Sequence, residues 1–203
     1  YVPLNAPHTP IVPSKEFQGT SGISPYADFV KQVDHDVGRL LASLEKQGLA
    51  DNTLVVFTSD NGCSTAANIP ELRKAGHEPS YIYRGNKADL YEGGHRVPFL
   101  VRWPAKVKPA GQGEDSMSFL PVLRGEKSEA RTGIVSQSIN GNFAIRDGQW
   151  KLCLSAGSGG WSSPKPGPEE AGLPPIQLYD LSKDPDVPVQ LIKKSPAGKA
   201  KKK

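Results

Sequence analysis

Sulfur is scarce in this sequence. It has two cysteines, Cys63 and Cys153, and one methionine, Met117. Two thiols cannot make the disulfide framework of a small stapled secreted module. Aromatic residues are also few, at 7%. No stretch approaches the roughly 18 uncharged apolar residues of a membrane span, so no membrane span is expected. Glycine and proline are plentiful, at 21 and 19 of 203 residues. That makes a loop-rich chain, short of the roughly 25–30% that marks low-complexity sequence. A membrane protein, a fibre and a disordered chain are poor readings, and the length suits one domain or one domain and a fragment.

The net charge of +4 is unevenly placed. Six lysines (Lys193, Lys194, Lys199, Lys201, Lys202 and Lys203) follow residue 190 with no acid among them, and without them the rest is net acidic. The basic balance belongs to a tail over residues 186–203, read as a solvated, disordered terminus. It is not a nucleic-acid-binding face, and no nucleic-acid partner is expected. The chain opens at Tyr1 with no leader-like segment. It reads as the latter part of something longer.

Residues 1–23 hold Pro3, Pro7, Pro10 and Pro13 and no helical period, which reads as loop. Ser24 is a good N-cap and Pro25 a good first helical residue. Apolar side chains then recur at Tyr26, Phe29, Val30, Val33, Val37, Leu40, Leu41 and Leu44, the spacing of one helical face, and Gly48 sits where the helix should stop. The run Thr53-Leu54-Val55-Val56-Phe57-Thr58 reads as a strand buried on both faces, as in a parallel sheet. Helix, turn and strand in that order are half of a βαβ unit, so an α/β layer fold is expected. Val97 to Trp103 is a second strand candidate, with Pro98 near its start. Residues 63–95 read as polar and irregular. Ile134 to Ser138, Phe143 to Arg146, Trp150 to Leu154 and Leu178 to Leu181 read as short strands joined by Asn140-Gly141-Asn142 and Asp147-Gly148 turns. Residues 155–175, with ten Gly or Pro among 21, must be loop. The organisation expected is an α/β part over 1–111 and a small β-rich part over 112–185, followed by the tail.

Ligands of α/β folds collect at the carboxyl ends of strands, where this chain has Ser59-Asp60-Asn61-Gly62. Asp60 and Asn61 offer hard oxygen ligands suited to Ca²⁺ or Mg²⁺; a zinc site would more often show His or Cys. The same residues also make ordinary turns. His8, between Pro7 and Pro10, sits on stiff backbone and suits an anionic group or a leaving oxygen. It reads equally as a loop histidine with a structural hydrogen bond. Arg84-Gly85-Asn86-Lys87 and Tyr91-Glu92-Gly93-Gly94-His95-Arg96 set cations among glycines, which suits a tetrahedral oxyanion, or an exposed polar loop. Cys63 has no base fixed beside it and reads as a half-buried thiol.

Five segments in this order resemble one family: Ala6-Pro7-His8-Thr9-Pro10; Tyr26 to Gly38 with Gln32-Val33-Asp34; Asp51-Asn52-Thr53; Phe57-Thr58-Ser59-Asp60-Asn61-Gly62; and Arg84 to Pro98. Together they look like the formylglycine-dependent sulfatases of arylsulfatase type. Ala144 to Leu152 and Leu178-Tyr179-Asp180-Leu181 resemble that family's C-terminal subdomain. The resemblance covers nearly all of residues 1–185. It implies an alkaline-phosphatase-like α/β sandwich, here partial, with a small C-terminal antiparallel β subdomain. It implies sulfate ester hydrolysis with a calcium ion and a sulfate ester as partner. It makes Asp60 and Asn61 metal ligands and Lys87 and His8 sulfate-contacting catalytic residues. The family's nucleophile comes from a Cys-x-Pro-x-Arg motif converted to formylglycine. Neither Cys63-Ser64-Thr65 nor Cys153-Leu154-Ser155 has that form. The nucleophile and the early calcium ligands are therefore expected in an N-terminal half outside this chain, and the chain alone should be inactive. At Lys108 to Ser116 a helix usual in the family is replaced by a short link. A phosphatase or phosphodiesterase of the same superfamily is the second enzyme reading, against which Asn61 stands where a two-zinc site would want histidine. A non-catalytic, anion-binding remnant is the third. Compartment and oligomeric state are left open.

Overall fold

In a computed structural model, residues 1–107 and 133–183 are described. They divide into two compact units, one of residues 1–59, 64–79 and 98–107, the other of residues 60–63, 80–97 and 133–183. The expected boundary at 111–112, the link at Lys108 to Ser116 and the basic tail lie outside the described residues.

The first unit is organised by helix α1 (Pro25–Lys46). It starts as its sequence requires. Ser24 is extended, and its hydroxyl accepts the Ala27 N–H at 3.2 Å. At the other end Gly48, at φ +68°, turns the chain out of the helix. The loop before α1 has no regular element, yet it is tied to the helix. Asp28 accepts the Gly19 and Ser21 N–H groups at 2.7 Å each, and Gln32 accepts the Ser14 N–H at 2.8 Å. The bonds from Ser21, above all, hold the Asp28 carboxyl below the usual carboxylate range.

Strand β1 (Val55–Thr58) pairs with β2 (Phe99–Arg102), in the register Val55 opposite Arg102 and Thr58 opposite Phe99. This corrects the expectation of a parallel-sheet strand buried on both faces. The pairing is antiparallel, and burial alternates along β1, with Val56 49% exposed. A short apolar run does not by itself say how many of its faces are covered. Here Val55 and Phe57 share an open groove of about 380 Å³ with Val30, Val33, Val37 and Leu41 of α1. Arg102 reaches Glu45 at 2.7 Å, and the Trp103 indole N–H donates to the Asp51 carbonyl at 3.0 Å. The stretch read as irregular contains helix α2 (Ile69–Lys74), which buries Ile69 and Leu72.

The second unit is a four-stranded antiparallel meander: β3 (Ile134–Gln137), β4 (Phe143–Asp147), β5 (Trp150–Cys153) and β6 (Gln177–Asp180). The Gly148–Gln149 turn sets Asp147 opposite Trp150, Arg146 opposite Lys151 and Ala144 opposite Cys153. One sheet face therefore carries Ala144, Arg146, Lys151, Cys153, Gln177 and Tyr179. Against it lie Leu90, Tyr91 and the short helix α3 (Glu92–His95). Among the described residues no helix is long and apolar enough to cross a membrane.

Replacing Ser24 by Ala removes the cap of α1. We expect a loss of about 1 kcal/mol in stability, measured by urea unfolding followed by far-UV circular dichroism.

Candidate active site

The second unit draws the Asp60–Cys63 segment and the Arg84–Arg96 loop into one backbone knot. The Lys87 N–H donates to the Cys63 carbonyl at 2.8 Å and the Gly62 N–H to the Gly94 carbonyl at 3.0 Å. The Gly93 N–H donates to the Arg84 carbonyl at 2.8 Å. Such contact leaves no room for side chains. A Cβ on Gly62 would sit on the Gly93 carbonyl, one on Gly93 against the Gly85 carbonyl, and one on Gly94 2.6 Å from the Asp89 carbonyl. The Gly-Gly pair is there because three backbones touch.

The cations of this loop have different fates. The Arg84 guanidinium lies 4.2 Å from the Tyr91 ring centre and donates to the Tyr179 hydroxyl at 3.1 Å. Burial pushes both phenols above their ordinary pKa. Arg96 lies 4.5 Å from the Tyr83 ring centre and 3.7 Å from Glu92. Glu92 itself is buried, with Lys151 at 2.8 Å and Arg146 at 3.2 Å. Burial works to raise its pKa; Lys151 first, then Arg146 and Arg96, outweigh that and hold it below the ordinary value. Lys87 is the contrast. It is half-buried, and no hydrogen bond or ion pair reaches its ammonium among the described residues.

Asp89, two residues on, is wholly buried. Its carboxylate accepts the Asn86 N–H at 2.9 Å, the Trp161 N–H at 2.7 Å, the Ser162 N–H at 3.0 Å and the Ser162 hydroxyl. It clamps the Lys87 loop to the Ser158–Ser162 loop, helped by the Leu90 N–H to Ser158 carbonyl bond at 2.8 Å.

The Asp60 carboxylate is exposed at the end of β1, and Asn61 is half-buried with its amide donating to the Gly62 carbonyl at 3.0 Å. The pair is a fit for a hard cation in donor type, being two oxygen ligands, but it is a partial set against the six to eight that Ca²⁺ takes. Among the described residues no three His, Cys, Asp or Glu side chains gather as a metal cluster. His8 belongs to the first unit. It is exposed, with Nδ1 donating to the Thr9 carbonyl at 2.8 Å. The fold thus gathers Asp60, Asn61 and Lys87 in one unit and places His8 in the other.

The sulfatase family profile matches residues 1–135. This chain belongs to the sulfatase family. It is 34% identical to the N-acetylgalactosamine-6-O-sulfatase of Bacteroides thetaiotaomicron over 93% of this chain and 42% of that protein. It is 43% identical to human steryl-sulfatase over 57% of this chain and 20% of that one. A solved sulfatase from glycosaminoglycan metabolism of B. thetaiotaomicron superposes with a TM-score of 0.73 at 34% identity, over 90% of this chain and 44% of its own. The crystal structure of Ps i-CgsB gives 0.66 at 26% identity, over 92% and 44%. The sulfatase chain therefore spans less than half the length of these relatives, and its match lies in their C-terminal portion.

Sequence reasoning missed two functional supports of this sulfatase chain, Glu92 with its cations and Asp89. The first had a signal. A tight turn after Asp147 fixes Arg146 opposite Lys151 on the inner sheet face, and a buried lysine beside a half-buried arginine requires an acid. Asp89 had none, because its partners are backbone amides of a distant loop.

Two measurements check this geometry. The folded pKa of Glu92 lies below its ordinary value of 4.5. Its stabilisation is therefore full above about pH 4.5 and is lost as pH falls through the folded pKa. Melting temperatures between pH 7 and pH 3 should show the advantage of the unsubstituted chain over Glu92→Gln shrinking with acid. Burial also raises the Cys153 thiol to about 11, whereas Cys63 is only half-buried. A thiol titration of the folded chain at pH 8 should find Cys63 reacting first and Cys153 only on unfolding.

Proposed function

We propose that this chain supplies the late half of a sulfatase active centre. In this reading the parent enzyme hydrolyses sulfate esters. Lys87 holds a sulfate oxygen as a compact positive charge, and His8 contacts the sulfate beside the leaving oxygen. Asp60 and Asn61 give two oxygen ligands to a calcium ion. That ion, when bound, supplies positive charge to the sulfate oxygens. The observation that carries the reading is the state of Lys87. Four neighbouring cations are occupied by rings and Glu92, whereas its ammonium has no partner among the described residues and its loop is hydrogen-bonded to the segment bearing Asp60 and Asn61. Membership of the sulfatase family supports the reaction class. The nucleophile is assigned to sequence outside this chain, because no Cys-x-Pro-x-Arg occurs in it.

The test is a titration of the full chain with inorganic sulfate and with Ca²⁺, followed by ¹H–¹⁵N NMR. Sulfate should move the amides around Lys87, and Ca²⁺ those of Asp60 to Gly62. Lys87→Ala should abolish the sulfate response and leave the calcium response. Equal sulfate affinity in Lys87→Ala sinks the assignment. The chain alone should not turn over an aryl sulfate, and turnover would refute the placement of the nucleophile elsewhere.

A further inference from the structure

We propose that Trp161 is a specificity-determining residue of the same site, presenting an aromatic face to the sugar ring of a pyranoside sulfate whose sulfate is held by Lys87. The proposal rests on the reading of Lys87 given above.

Asp89 is a wholly buried carboxylate, and no ion pair among the described residues involves it. A lone buried charge is costly unless its oxygens are saturated with donors. Here every bond goes to one of two places, the Lys87 loop or the backbone and hydroxyl of Trp161 and Ser162. The carboxylate therefore fixes Trp161 to the Lys87 loop and nothing else. Glycines complete the mount. A Cβ at Gly160 would strike the Ala88 carbonyl, and one at Gly159, at φ +66°, would lie 2.8 Å from the Ser138 hydroxyl. Asn140 donates to the Gly159 carbonyl at 3.0 Å, and the Asn86 amide to the Ser162 hydroxyl at 2.9 Å.

On this rigid mount the one large apolar side chain is left 38% exposed. Folding alone would favour burying an indole. An aromatic residue whose backbone is fixed to the loop that carries Lys87, together with a half-buried ammonium that has no partner among the described residues, supplies the two elements of a small-molecule site, an apolar wall and a placed charge. A pyranose ring bearing a sulfate presents both complements, a face of C–H groups and an anion.

The experiment compares two probes on the full chain, inorganic sulfate and N-acetylgalactosamine 6-sulfate, by calorimetry and intrinsic fluorescence. Trp161→Ala should weaken the sugar sulfate about three- to tenfold and leave inorganic sulfate unchanged. Trp161→Phe should retain most of the affinity while losing the fluorescence response. Lys87→Ala should weaken both probes. If Trp161→Ala weakens both probes equally, or neither, the aromatic role is overturned while that of Lys87 stands. If Lys87→Ala leaves inorganic sulfate binding intact, the Lys87 reading fails separately. A chain without any response to the sugar sulfate overturns the proposal outright. Should Trp161→Ala unfold, the Trp161→Phe comparison decides by the presence or absence of its fluorescence change.

Discussion

The contact on which the second unit depends is the buried pair of Glu92 and Lys151, 2.8 Å apart. Glu92 opens a helix of four residues, too short to hold itself together by its own hydrogen bonds. Lys151 stands on the inner face of a sheet and would be costly there without a counter-charge. Each side chain makes the other tolerable. Because Glu92 immediately precedes Gly93 and Gly94, fixing its carboxylate also fixes the two glycines that receive the Asp60–Cys63 segment. An ion pair seated in the small sheet thus reaches the Asp60–Cys63 segment through only a few bonds.

The same loop shows how lysine and arginine divide their work. Guanidinium groups lie over rings and fork between acceptors, as Arg84 does with Tyr91, Tyr179 and the Ser163 carbonyl. They suit a framework in which several partners must be satisfied at once. An ammonium on a flexible stem suits a ligand that arrives and leaves. A string of basic residues in one segment therefore has unequal meaning from one position to the next.

Much of this was legible beforehand. Ser24, Pro25 and Gly48 bracket α1 because capping is local chemistry, and the observed helix agrees with them at both ends. The hairpin strands β3 to β5 were legible from alternation and turn residues for the same reason. The family was legible from motifs in order. Less was visible where the outcome depends on what lies opposite. The apolar run of β1 says that it wants cover without saying from how many sides, and α2, with six residues, is too short for a periodic signal. Asp60, Asn61 and Lys87 were visible as candidates, yet which cation stays unpaired was not, since Arg84 and Arg96 read the same in sequence. Asp89 stood only as a position of the Arg84 to Pro98 motif, with no role of its own.

The three touching glycines carry a genetic consequence. Gly62, Gly93 and Gly94 are each pressed against another segment's main chain at the point where a first side-chain carbon would begin. Every missense codon at these positions encodes that carbon, so alanine is excluded on the same ground as aspartate or tryptophan. A saturation library would record them as flat rows of intolerance, without the graded preference for size or polarity that a packed core position displays.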